Sequence, residues 1–252
     1  MKRFLKVVAW AAQFSAVTLL LTSCLGDDDS VAPDAGSEPE FIFSYNFSSG
    51  IGEWETGFAE YPLSAEDTMQ IDVDIISAPP ELGAGDSLLR LAAIDPVGDL
   101  FSFIKLKITG LPAESNFTVL VETEFATLNF DTLGTVYDGD LPVHVKAGIF
   151  ETDPLLVASE DSLSVGYAFN EFDIDKGNNA DAGADMVLLG TLNMPEPQVF
   201  TSILRANNNG RELSGSTDAD GNMWLLIGTD SEAKMHQAFY YSRVAVLFDE
   251  LD

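Results

Sequence analysis

Phe101-Ser102-Phe103-Ile104-Lys105-Leu106-Lys107-Ile108 is the stretch whose reading decides the fold. Side chains alternate across an extended strand with a period of two. The apolar residues of one parity are therefore expected on a core face, and Lys105 and Lys107 toward water. A second run, Phe239-Tyr240-Tyr241-Ser242-Arg243-Val244-Ala245-Val246-Leu247-Phe248, is long and apolar enough for a central strand. Outward from these two, the chain from Phe41 onward consists of short runs separated by turn residues. Strands are expected over 41–47, 69–77, 87–94, 100–109, 117–126, 143–150, 166–172, 186–192, 200–205, 223–228 and 238–248. No stretch carries apolar residues at helical spacing, and no internal repeat points to a propeller or solenoid. About ten strands with turn-rich links fit an all-β, two-sheet, jelly-roll-like β-sandwich spanning residues 41–252 as a single domain.

The composition agrees: 46% of residues are hydrophobic, with 17 Phe and 20 Gly, as in a globular chain rich in strand formers. Charge is lopsided, at −29 from 12 basic and 41 acidic residues. Such a field repels nucleic acid and anionic lipid surfaces. Two uses of the acids remain open: a solvated surface screened by counter-ions, or carboxylates gathered to hold Ca²⁺.

The amino terminus reads as an address. Lys2, Arg3 and Lys6 precede an apolar stretch over residues 7–21, and Leu21-Thr22-Ser23-Cys24 follows with the chain's one cysteine. The apolar stretch, broken by Gln13 and Ser15, falls short of the ~20 residues that span a bilayer. The segment resembles the lipobox of bacterial lipoproteins. That resemblance implies a signal peptide at 1–23, cleavage before Cys24, and acyl chains such as palmitate on the cysteine. Several chains make anchoring durable, since one alone binds only marginally. Removing residues 1–23 takes three of the 12 basic side chains and none of the 41 acidic ones, which leaves a formal charge of −32. Residues 24–40, rich in acids, Pro, Gly and Ser, are expected to form a disordered acidic tether. Asp27-Asp28-Asp29 resembles the acidic surface-export signals of Bacteroidota lipoproteins, which implies an outer-membrane location. The periplasmic and outer faces both stay open.

Catalytic patterns are sparse. No G-x-S-x-G, H-E-x-x-H, P-loop or G-x-G-x-x-G sequence occurs, and the two histidines, His144 in a strand and His236 in a polar loop, are too few for common zinc sites. His144 is expected to be partly exposed. The acids of Glu171-Phe172-Asp173-Ile174-Asp175 would share one face if the segment were extended. This resembles the E-x-D-x-(x)-E strand of laminarinase-like glycoside hydrolases. The resemblance makes Glu171 a nucleophile and puts Asp175, one methylene shorter, in the place of the acid, with Asp173 between them. The same region offers oxygens to calcium from Asp173, Asp175, Asn178, Asp181 and Asp185. Asp218, Asp220 and Asn222 form a smaller cluster, with a hairpin turn as the alternative.

Trp54, Phe58 and Tyr61 lie in a polar, acid-rich stretch expected to be a loop. There they could stack on the apolar face of a sugar ring or plug the end of the sandwich. Trp224 is expected in the core. The body resembles an uncharacterised family of secreted bacterial proteins through Gly52-x-Trp54-x-x-Gly57-Phe58-Ala59-x-Tyr61-Pro62, Asp99-Leu100-Phe101-x-Phe103-Ile104-Lys105, Asp175-Lys176-Gly177-Asn178 and residues 224–231. The opening Phe47…Trp54 pattern is also similar to carbohydrate-binding jelly rolls. Together these readings imply an envelope lipoprotein with a non-catalytic glycan- or ligand-binding sandwich. A laminarinase-like hydrolase and a structural envelope-assembly lipoprotein with a protein partner are the alternatives.

Overall fold

The residues described by the computed structural model, 41–82, 86–127, 142–160, 168–192, 200–208, 210–232 and 236–251, form fifteen strands. They are β1 (Phe41–Asn46), β2 (Glu55–Ala59), β3 (Tyr61–Pro62), β4 (Asp72–Ser77), β5 (Ser87–Ile94), β6 (Leu100–Ile108), β7 (Asn116–Thr127) and β8 (Val143–Phe150). There follow β9 (Leu156–Glu160), β10 (Ala168–Phe172), β11 (Val187–Leu192), β12 (Thr201–Ala206), β13 (Leu213–Ser216), β14 (Met223–Ser231) and β15 (His236–Glu250). Cys24, the expected signal segment 1–23 and the expected tether 24–40 lie outside the described residues.

Two antiparallel sheets make the sandwich. The larger runs β12-β7-β15-β5-β4, with β1 also on β15 and β13 also on β7; the second runs β11-β8-β14-β6-β2. Their facing sides share one core. Phe117, Val119, Val121, Phe125, Leu89 and Leu91 come from the larger sheet, and Ile104, Leu106, Ile108, Val145, Leu225 and Ile227 from the second. Burying each such side chain stabilises the fold by about 1.5–3 kcal/mol. The expected all-β, jelly-roll-like sandwich is the observed architecture, and β5 and β8 have the expected bounds.

β15 changes parity partway along. Phe239 and Tyr241 face the core before Ser242, and Val244, Val246 and Phe248 face it afterwards. The register against β7 shifts between Tyr241 and Arg243, the mark of a β-bulge that inserts one residue. The bulge turns Arg243 outward beside its cross-strand partners Glu124 and Asn46.

A third layer covers the outside of the second sheet. Its strands run β3-β10-β9, and beneath them Phe101, Phe103, Phe172, Met186, Leu226 and Ala59 form a separate small core. Phe172 packs edge-on against Phe103, with ring centroids 4.7 Å apart. β6 is therefore buried on both faces, which corrects the expectation for Lys105. Only 7% exposed, it reaches Asp153 at 2.5 Å and Glu55 at 3.2 Å, and its ammonium lies 5.0 Å from the Trp224 ring centre. Lys107 is exposed as expected. Trp224, expected in the core, is half-buried on this outer side.

Four strands were not legible as such: β2, β3, β9 and β13. β2 mixes an acid and glycine with its apolar residues, β3 has two residues, and β13 is Leu-Ser-Gly-Ser. Each is held as a strand by hydrogen bonding to a stronger neighbour, a tertiary effect that outweighs weak local preference.

Candidate functional site

Trp54, Phe58 and Tyr61 are 7%, 5% and 5% exposed and belong to the main core. Trp54 makes an edge contact with Tyr45, the ring centres 5.4 Å apart. The stretch expected as a loop contains β2, and strand alternation turns Phe58 inward. A stacking platform needs an exposed ring face, which these buried rings do not present.

The acids over 171–185 are likewise rearranged. β10 ends at Phe172, so Glu171, Asp173 and Asp175 do not form the expected extended row. Asp173 accepts the Leu155 N–H at 2.9 Å. Asp175 accepts the Ala184 and Gly177 N–H groups, each at 3.0 Å, and these donors hold its carboxyl below the usual carboxylate range. Asp185 accepts the Asp175 N–H at 2.7 Å, and the Asn178 carbonyl accepts from Asp181 N–H at 2.9 Å. The carboxylates of Asp175 and Asp185 thus fasten the loop to itself. Asp218 does the same in its turn, accepting N–H bonds from Asn222 at 2.8 Å and Asp220 at 2.9 Å. That turn leads from β13 in one sheet to β14 in the other, so it is an arch and not a hairpin.

Among the described residues, the acids that converge are Glu60, Asp99 and Asp230, each offering an oxygen within 4.8 Å of the others, close enough to hold a metal ion. Two ammonium groups already sit on them. Asp230, in β14 and 0% exposed, accepts through Oδ2 from Lys176 Nζ at 2.8 Å, Lys146 Nζ at 3.0 Å and Asn179 N–H at 3.1 Å. Lys176 Nζ also reaches Glu60 at 2.6 Å and lies 5.0 Å from the Phe101 ring centre. Lys176 comes from the segment after β10, so its ion pairs fasten the third layer to the second sheet.

Burial pushes Glu60 up to about 7 against the attraction of Lys176, and burial with the Asp230 charge pushes Asp99 up to about 6. Glu60 also sits at φ +63°, uncommon for a residue with a side chain. His144, the cross-strand neighbour of Asp230, is 4% exposed and not the partly exposed residue expected. Its pKa is lowered, chiefly by burial.

An accessible concavity lies elsewhere, on the outer face of the larger sheet. One edge of β15 pairs with β5 up to Tyr241 and with β1 from Arg243 onward. Ser242, the bulge residue, marks the place where those two strands meet end to end. At the corresponding place on β7, between β12 and β13, beside a second concavity of about 420 Å³, the break in backbone pairing is bridged by Asn207. Its side chain accepts from Val121 N–H at 2.7 Å and donates to the Val119 carbonyl at 2.9 Å. At Ser242 a notch of about 280 Å³ remains. Leu88, Ala126, Ala78 and Leu82 give it apolar surface, and Asn46, Ser48, Asp86, Glu124, Ser202 and Arg243 are among its polar walls. Arg243 is held 3.5 Å from Glu124 and 3.8 Å from Glu122, and the Ser202 hydroxyl hydrogen-bonds Glu124. The parity break at Ser242 is the sequence signal that could have found this site.

No family model matches the chain, and no characterised protein does. Solved structures of similar chain path include a carbohydrate-binding module of the β-sandwich superfamily, 9% identical over 87% of this chain and 64% of that one, with a TM-score of 0.36. The chain therefore spans less than two thirds of that module's length. Another is a xylan-binding domain from Paenibacillus barcinonensis, 11% identical over 86% of this chain and 100% of that one, with a TM-score of 0.38. A third is a cleaved adhesin domain of Lys-gingipain from Porphyromonas gingivalis, 11% identical over 82% of this chain and 97% of that one, with a TM-score of 0.32.

Proposed function

We propose that this is a lipid-anchored protein of the bacterial cell envelope whose β-sandwich binds a glycan without acting on it chemically. The notch at the β1–β5 junction carries the reading. Apolar surface beneath convergent polar side chains is the pattern of a small-ligand site, and planar amide, carboxylate and guanidinium groups suit the paired hydroxyls of a sugar. The end of β10 at Phe172, which breaks the extended row of Glu171, Asp173 and Asp175, weighs against the hydrolase alternative. Retention of the full chain, in detergent, on a panel of immobilised polysaccharides checks the binding. We expect at least one neutral polysaccharide to hold it, and failure on every member rejects the reading.

Anchoring rests on the basic, apolar and small-residue order that ends at Cys24. Among the described residues no helix is long and apolar enough to cross a membrane. Cys24→Ser is expected to move the protein from the membrane fraction to the soluble fraction and to remove the acyl mass from the product. An unchanged membrane fraction would reject lipid attachment at this residue. Location at the outer membrane is the part of the proposal that Asp27-Asp28-Asp29 supports.

A further inference from the structure

We infer that the notch is a subsite for a single, uncharged sugar residue at the end of a glycan chain. This rests on the glycan-binding reading and adds to it the size and charge of what is bound. Size comes first. The volume of about 280 Å³ lies just under the ~300–1,000 Å³ of pockets that hold drug-sized ligands, room for one ring and not for a chain.

The surroundings close the notch on opposite sides. Leu82 and Asp86 stand on one side, and Ser202 of β12 beside Glu124 on the other, while the ends of β1 and β5 flank Ser242. A polysaccharide running through would need two open ends, so the geometry favours entry of a terminus.

Charge decides the class of sugar. Asp86 and Glu124 line the notch with Arg243 as the cation, and Arg243 is already shared between Glu124 and Glu122. A uronate or sulfated residue would meet the carboxylates of Asp86 and Glu124 and find the guanidinium's charge already balanced by Glu124 and Glu122, though its N–H groups can still donate, inside a chain whose overall field repels anions. A neutral sugar incurs no such repulsion. Its hydroxyls can donate to Glu124 and Asp86 and accept from Arg243. Asn46 takes the Ser48 N–H on its carbonyl oxygen at 3.1 Å, leaving its amide NH₂ as the group it offers a ligand.

Calorimetric titration of the full chain in detergent tests this, using the monosaccharides, trisaccharides and hexasaccharides of glucose, mannose, galactose and galacturonic acid. One neutral series is expected to bind. Its trimer and hexamer should agree within about threefold, its free monosaccharide should compete, and the galacturonate series should bind at least tenfold more weakly. Arg243→Met and Glu124→Gln should each weaken the neutral series at least tenfold at an unchanged melting temperature, and Lys107→Ala on the other sheet should bind as the parent does. Binding that survives both notch substitutions, rises steadily with chain length or prefers the uronate overturns the subsite and leaves glycan binding standing. Absence of binding across every series overturns both.

Discussion

Asp230→Ala is expected to lower the unfolding free energy by about 3–5 kcal/mol and the melting temperature by roughly 10 °C. Asp230 is fully buried and takes Lys146, Lys176 and the Asn179 N–H on one carboxylate oxygen. Removing it leaves the Lys146 ammonium, itself 0% exposed, without its carboxylate, while Lys176 keeps Glu60 at 2.6 Å. The damage thus lies in an orphaned charge more than in a lost attraction, because taking ions from water offsets much of what a buried pair gains. Asp230→Ala combined with Lys146→Met should therefore recover a large part of the loss. Chemical denaturation of the four proteins of this cycle decides the matter. A double variant as unstable as the sum of the singles would show that Lys146 is not the stranded partner.

Why this cluster escaped the sequence is physically specific. Val143-His144-Val145-Lys146 alternates apolar and polar residues, and in a two-layer sandwich the polar parity belongs to water. Residues after β8 instead fold back as a third layer. The outward parity of the second sheet does hold a clue, since Phe101 and Phe103 of β6 and Leu226 of β14 are too many large apolar residues for a wetted face. The main core was legible wherever alternation ran for several residues, as in β5, β6 and β8. Of the notch only the parity break at Ser242 was legible, because two strands end there against one edge of β15 and pairing partners are not local information. Trp54 was open both ways: its acidic and glycine neighbours allow an exposed ring as well as a plug, and the indole lies against Tyr45 and Phe47.

The protein is expected to melt at a higher temperature at pH 5 than at pH 8, with Glu60 as the main single contributor. Its folded pKa of about 7 lies above the ordinary carboxylate value, because burial outweighs the pull of Lys176. Asp99, at about 6, is raised by burial and by the charge of Asp230. Between about pH 4.5 and pH 7 the folded protein keeps protons that the unfolded chain has released, so stability falls as pH rises through this window. The stabilisation is fully present below the unfolded carboxylate range and is lost once pH passes the folded values. For Glu60, whose side chain is 22% exposed, the shift corresponds to about 2–3 kcal/mol. His144 works in reverse: burial lowers its pKa, so its contribution is lost as pH falls below the ordinary imidazole value, which trims the gain at the acid end. Relief of the overall negative charge also favours lower pH, and Glu60→Gln separates the two effects. That variant should keep the general trend but lose at least half of the parent's change between pH 8 and pH 5, measured by thermal melting at fixed ionic strength. A slope equal to the parent's would remove Glu60 from the pH dependence and leave it to Asp99 and the overall charge.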